Sequence, residues 1–532
     1  MMRLSRKRFG TVAGPHPRTV QAGISILKEG GNAVDAAIAA AFTEGVVEPS
    51  HNGIAGYGGC MVIYSTERQK VVAIDYNTVA PMAASDQMFP IQKADGPAGY
   101  RVPGRINVHG PLSVGVPGVV AGLCLALQEF GRLTLPQVLR PAIQSARYGF
   151  VPNRANLNGI TSNSERWKQD FPETARLYLK NGAPPKRNQR LTNPELARTL
   201  ETVATEGASA FYRGEIAQKI VNHIQQTGGC LTTEDFHQYQ ARIVAPYQVQ
   251  YRDHRLFTPP LGAGGLTALQ MLKLIEGYDI APMPTARRLH LLAEAMKICW
   301  TERLERFGDP RFTELDPSAE LGDPLVSELK SCLEDGLKSP QPGKIVAYEP
   351  ISCTSHISTA DLDGNLVSLT QTHGGGFGSM VSVPGTGLLL GHGVGRFDPR
   401  PGLANSIAPG KSPLHNMSPM IALKGDRPFA TYGIPGGRTI PNNQLSLTIN
   451  LIDLNMTIQQ ALDTPRLHSE GAEPIQMEDV GESTQAELQR LGHTIEHSSG
   501  IGGPGHGIVV TDEPAIQSGG TDPRGQGRVM SS

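Results

Sequence analysis

Apolar residues in the first third of the chain recur every three or four positions. In "TVQAGISILKEGG" (19–31) they share one helical face and stop at Gly30-Gly31, glycines suited to ending a helix. "NAVDAAIAAAFTEGVVEP" restarts at Asn32, whose side chain can accept the first free amide hydrogens, and ends before Pro49. The period then changes, and "GGCMVIYSTERQKVVAIDY" (58–76) reads as two apolar strands about a polar turn. Helical spacing resumes in "PGVVAGLCLALQEFG" (117–131), with Pro117 at a first-turn position, and in "LPQVLRPAIQSARYG" (135–149). It continues through 190–230 and 285–335.

The pattern fails at "GLKSPQPGKIVAYEP" (336–350), which predicts an exposed linker. A hairpin follows, with strands Thr354 to Asp361 and Leu366 to Thr372 about a turn at Asp363-Gly364. Thr354, Ser355, Ser358, Thr359, Ser368, Thr370 and Thr372 give it more hydroxyls than a core hairpin needs. It is therefore either a wet surface hairpin or a reactive site. Beyond it the chain is rich in strands and glycine, with helices near 457–463 and 484–491. The predicted architecture is an α/β layered body, interrupted by a flexible segment that leads into a central strand.

Composition narrows the function classes. A chain of 532 residues allows three or four average domains or one large α/β unit. Hydrophobic residues at 39% and charged residues at 18% describe a soluble globular protein. A net charge of −1, a pI near 7.0 and no long run of Lys and Arg leave no nucleic-acid footprint. The basic start "MMRLSRKRFG" runs into polar, proline-broken "TVAGPHPRTV", so no cleaved signal peptide is expected. No window is apolar enough for a membrane span, and the expected location is cytoplasmic. The six cysteines form no CxxC pair and predict buried free thiols.

Three patterns mislead. "GIGGPG" (500–505) spells a dinucleotide fingerprint, but Pro504 breaks it and no strand and helix frame it. "HTIEH" (493–497) spells a zinc-peptidase motif. Thr484 and Glu487 suggest a capping box for a short helix ending at Gly492, which leaves His493 at the start of a strand. Two strand residues four apart stand about 13 Å from each other, too far to share a zinc ion. His356, His373, His392 and His415 lack ligand spacing and read as hydrogen-bonding residues. No G-x-S-x-G elbow is present. Neither metal nor cofactor is expected.

Nine stretches, in order, resemble the gamma-glutamyltransferase family of N-terminal-nucleophile hydrolases. They are "GGNAVDAA", "GYGGCMV", "PGVVAG", "PPLGAGG", "TSHISTADLDGNLVSLTQT", "FG" (377–378), "PLHNMSP", "GIPGGRTI" and "TDPRGQG". The resemblance implies a four-layer αββα sandwich that cuts itself between Cys353 and Thr354. A large chain, 1–353, and a small chain, 354–532, then form one interleaved unit. Thr354 becomes the nucleophile and its new α-amine the base, with a free pKa of about 7.7–8.0. Thr372 takes the place of a second threonine that hydrogen-bonds the nucleophile. Gly436 and Gly437 stand where the family forms its oxyanion hole. Whether the Cys353 thiol competes as a nucleophile is left open by its position.

The glutamate clamps of the family are replaced. Its carboxylate-gripping arginine falls on Asn77, an asparagine on Gly374, and a Gln and an Asp on Gly393 and Arg396. Two serines fall on His415 and Asn416, and the lid segment before them looks shorter. Arg396 would repel an ammonium and attract a carboxylate. The expected substrate is therefore a small-molecule amide bearing a carboxylate, the mono-amide of a small dicarboxylate. Relatives that cleave glutaryl-cephalosporins or oxamate have lost the same clamp. A true γ-glutamyl transferase or glutathione hydrolase, and a non-catalytic carboxylate-binding relative, are the alternatives. No nucleic-acid or membrane partner is expected, and a homo-oligomer is compatible with the reading.

Overall fold

Asn32 caps its helix as its side chain predicts. Its Oδ1 accepts from the amides of Val34 and Asp35 at 2.9 and 3.0 Å, and Asp35 accepts in return from the Asn32 amide at 2.8 Å. This reciprocal box satisfies donors that a first helical turn leaves free. The structure, a computed structural model, describes residues 8–94, 99–260, 262–316, 318–339, 353–511 and 516–532.

The main strands, in chain order, are β1 (Gly10–Gly14), β2 (Gly58–Ser65), β3 (Lys70–Asp75), β4 (Arg242–Val244), β5 (Tyr247–Tyr251) and β6 (His254–Thr258). The reactive hairpin supplies β7 (Cys353–Asp361) and β8 (Leu366–Gly374). β9 (Met420–Lys424), β10 (Arg427–Gly433), β11 (His506–Val510), β12 (Gln517–Thr521) and β13 (Arg528–Ser531) complete them. One antiparallel sheet has the order β13-β1-β7-β8-β2-β3-β4 and the other the order β12-β11-β10-β9-β6-β5.

The sheets face each other, with β10 and β11 against β7. Ala13, Val62, Phe257, Ile421 and Ile508 fill the seam between them. Helices α1 (Pro17–Lys28) and α2 (Ala33–Val47) cover the outer face of the first sheet. Helices α3 (Gly265–Ile275), α4 (Thr285–Arg306), α5 (Ile440–Ile452) and α6 (Ile458–Asp463) form the layer beyond the second. The result is the expected four-layer αββα sandwich, an α/β fold.

The hairpin is not wet. Every residue of β7 and β8 is buried, and their hydroxyls staple layers together. Ser368 donates to the Tyr432 carbonyl at 3.0 Å, Thr431 donates to the Val367 carbonyl at 2.8 Å, and Thr359 donates to the Ala33 carbonyl at 2.7 Å. Buried hydroxyls are tolerated because each finds an acceptor.

Four sequence expectations need correction. The stretch expected as a linker at 336–350 is helical through Lys338, and 340–350 lies outside the described residues. Pro117 precedes the cap Gly118, outside the first turn of a helix that starts at Val119. Thr484 is no cap: its helix starts at Glu482 behind Gly481. Helix α5, "IPNNQLSLTINLI", was not expected, because it is nearly all buried and its apolar residues alternate from Leu445 to Leu451, the period of a strand.

Candidate active site

Pairing along β7 and β8 runs regularly from Leu366 opposite Ala360 to Gln371 opposite Ser355. A bulge then sets Gly374 opposite Cys353. Bulges re-aim side chains, and this one turns Thr372 onto the Cys353–Thr354 junction. Thr354 Oγ1 donates to Thr372 Oγ1 at 3.4 Å, and Thr372 donates to the Cys353 carbonyl in a short contact. The Gly374 amide donates to Thr372 Oγ1 at 2.8 Å and holds it in place. The carbonyl beside Thr354 is thus polarised by a hydroxyl that the Thr354 hydroxyl itself touches. Contrary to expectation, this junction is not exposed: Cys353 and Thr354 are both buried.

The Cys353 thiol donates to the Ser50 carbonyl at 2.7 Å. Burial, with Glu48 nearby, pushes its pKa far up, so it stays a thiol and is a poor competitor to a hydroxyl on the same carbonyl. Beneath the strand, Glu44 is fully buried, and burial pushes its carboxyl up to about 8. Its native pKa lies above the usual 4.5, so folding binds a proton there, and stability falls as pH rises from about 4.5 to about 8. Glu44→Gln is expected to remove that slope, at most about 1.4 kcal/mol per pH unit. Denaturant melts at pH 5 and pH 8 check it; parallel losses in both proteins would disprove it.

Thr354 opens into a cavity of about 590 Å³ shared with His51, Cys353, Gly436, Arg438 and Glu470. Gly436 and Gly437 follow β10 at φ 137° and 63°, where side chains are disfavoured. A Cβ on Gly436 would stand 2.5 Å from the Gly502 Cα. The two glycines can therefore bring bare N–H groups near an acyl oxygen, although only Gly436 lines the cavity.

Arg438, unnoticed in the sequence, is held by a closed ring of contacts. Its Nε lies 2.7 Å from Glu470, and Glu470 Oε1 lies 3.1 Å from His468 Nε2. His468 Nδ1 accepts from Asn442 at 2.8 Å, and Asn442 Oδ1 accepts from Trp300 at 2.6 Å. The Arg438 guanidinium lies 5.3 Å from the Trp300 ring, which closes the ring of contacts. Burial would raise the Glu470 pKa, but Arg438 and His468 outweigh it and keep the carboxylate ionised.

Buried Arg303 stands 5.8 Å from the same indole and donates to the His415 carbonyl at 2.8 Å and to Asn416 Oδ1 at 3.0 Å. Among the described residues no carboxylate pairs with it. Burial, then Arg438 and Arg396, lower its pKa, yet a guanidinium stays charged. Arg438 and Arg303 thus flank Trp300; of the carboxylates that line the cavity, Glu470 is paired with Arg438, Glu473 lies 2.5 Å from Lys297, and Glu496 accepts from Gln476 at 3.0 Å.

The other predicted positions are placed less directly. Asn77 is buried and donates to the Pro413 carbonyl at 2.7 Å. Gly374 sits where a Cβ would lie 2.3 Å from His392, and Gly393 where one would lie 2.6 Å from Thr78. Arg396 stands beside Tyr57, His392 and His415, none of which lines the cavity. His415 and Asn416 serve Arg303. Burial keeps His356, His373, His392 and His415 neutral.

His493 does not begin a strand; it precedes Ile495–His497. It meets His290 and Glu294 with ligand atoms within 4.8 Å of one another. Lys297 already takes the cation's position there, its ammonium 2.7 Å from Glu294 and 2.5 Å from Glu473. His497, the other half of the apparent zinc motif, is exposed on its strand.

Comparison with known proteins bears on the family and the fold. The gamma-glutamyltranspeptidase family profile matches residues 19–532. An acylase ACY 1 proenzyme of Pseudomonas sp. (strain SE83) is 35% identical over 510 residues, covering 95% of this chain and 91% of that protein. A glutathione hydrolase proenzyme of Escherichia coli (strain K12) is 32% identical, covering 87% of this chain and 81% of that protein. The crystal structure of a cephalosporin acylase from Bacillus halodurans superposes with a TM-score of 0.88 at 29% identity, over 99% of this chain and 97% of that one. With its ordered motifs, its αββα layers and a family match over nearly its whole length, the chain belongs to the gamma-glutamyltranspeptidase family.

Proposed function

We propose that the protein is a self-processing amide hydrolase that cuts between Cys353 and Thr354 and then uses Thr354 to open the mono-amide of a small dicarboxylate. The cut divides it into chains 1–353 and 354–532. The freed α-amine takes the Thr354 Oγ proton as Oγ attacks the substrate carbonyl, and the amide N–H groups at Gly436 and Gly437 receive the oxyanion. The leaving amine departs with a proton, and water releases the acid from the ester. Each oxyanion donor in such a site is worth about a hundred- to a thousandfold in rate.

The observation that carries the substrate class is the arginine in the cavity wall. Arg438 lines the cavity beside the oxyanion glycines, Arg303 shares the Trp300 ring with it, and the lining carboxylates Glu470 and Glu473 are paired with Arg438 and Lys297. A substrate carboxylate would find complementary charge there, and a substrate ammonium would be repelled. The acylase named among the relatives accords with this reading. Glutaryl-p-nitroanilide is expected to be hydrolysed at least about tenfold faster than γ-glutamyl-p-nitroanilide, a difference of about 1.4 kcal/mol in the barrier. Faster release from the γ-glutamyl compound would reverse the assignment in favour of a glutathione-type enzyme.

A further inference from the structure

Self-cleavage poses a problem that later turnover does not. The α-amine that serves as base afterwards is, before the cut, an amide nitrogen with no basicity, so the precursor needs another base for Thr354 Oγ.

The loop after α2 holds a candidate. The His51 amide donates to the Glu48 carbonyl at 2.9 Å, and the His51 carbonyl accepts from the His373 amide, next to Thr372, at 3.1 Å. The neighbouring Ser50 carbonyl accepts the Cys353 thiol proton. The loop is thus tied to Cys353 and to the residue after Thr372, and the His51 side chain, one-third exposed, lines the same cavity as Cys353 and Thr354.

The tautomer follows from the hydrogen bonds. His51 Nδ1 lies 3.3 Å from Glu48 Oε2 and 3.0 Å from Ser50 Oγ. Ser50 spends its own proton on Asn156 Oδ1 at 2.7 Å, and Asn156 in turn donates to Glu48 at 3.0 Å. Both neighbours of Nδ1 are therefore acceptors, so Nδ1 carries the hydrogen and Nε2 keeps a lone pair. A buried carboxylate that orients an imidazole whose other nitrogen is free to accept is the arrangement that activates hydroxyl nucleophiles.

We propose that His51 is the general base and acid of self-cleavage, with Glu48 as its positioning residue; this rests on the self-processing reading above. Nε2 takes the Thr354 Oγ proton as Oγ bonds to the Cys353 carbonyl carbon. The same proton passes from Nε2 to the Thr354 nitrogen as the C–N bond breaks, leaving an ester and a free amine. Water then adds to the ester carbonyl, the Oγ–C bond breaks, and Cys353 ends in a carboxylate.

The test follows cleavage by intact mass during cell-free synthesis of wild type, His51→Gln, His51→Ala and a Thr354→Ala blank. His51→Gln is expected to slow cleavage by about a hundredfold or more. The pH profile of the wild-type rate should differ from that of the variant. Added imidazole should accelerate His51→Ala, a rescue that a merely structural histidine would not show. Equal rates and equal pH profiles for wild type and folded His51→Gln overturn the role of His51 alone. A wild-type chain that stays intact overturns the self-processing reading itself.

Discussion

Thr354→Ala is expected to purify as one 56.9 kDa chain, while the wild type separates under denaturing conditions into two fragments that meet at Cys353/Thr354. The variant keeps β7 and loses the γ-methyl group and the hydroxyl that contacts Thr372. Its turnover should fall by about six orders of magnitude, the scale seen when a nucleophile is deleted from a device that acts as a unit. Thr354→Ser, which restores a hydroxyl, should process and turn over, more slowly because the methyl group no longer restricts the rotamer. Cleavage of the alanine variant at the same bond would remove Thr354 from the mechanism.

The second large effect is expected at Arg438. Arg438→Gln removes a cavity charge and leaves Glu470 without its guanidinium partner. Truncating one member of a buried charge pair costs about 2–5 kcal/mol, or roughly 30- to several-thousandfold in kcat/KM for a carboxylate-bearing acyl group. Butyryl-p-nitroanilide, which has no carboxylate, should lose only a few-fold. The split between the two substrates is the decisive readout. Equal losses would mean that Arg438 merely supports the oxyanion glycines and does not read the substrate.

What could be read from the sequence was whatever leaves a local trace. Asn32, the hairpin at 58–76 and the hydroxyl strand at Thr354 each rest on neighbouring residues, and each appears where expected. Helix α5 left a misleading one, since its apolar positions from Leu445 to Leu451 alternate as in a strand. The bulge that turns Thr372 toward Cys353 is a feature of strand pairing, invisible along a single strand. Arg438 was in view in "GIPGGRTI", but its meaning depends on Trp300, Arg303 and Glu470, which only the fold brings together. His51 is a similar case. It lies close in sequence to Glu48, yet more than three hundred residues separate it from the bond whose cavity it shares.

The order of the first sheet has a consequence for the life of the molecule after cutting. β7 and β8 lie between β1 and β2, and β13, from the far end of the chain, pairs with β1 on its other side. Both prospective fragments therefore alternate within one sheet, and neither owns a contiguous half of it. Before the cut, folding is a first-order event within one chain. Afterwards, a denatured sample must bring two molecules together, so refolding becomes second-order and fails on dilution. The mature protein would keep its shape by never fully letting go of it, with its lifetime set by an unfolding rate and no longer by an equilibrium it can revisit.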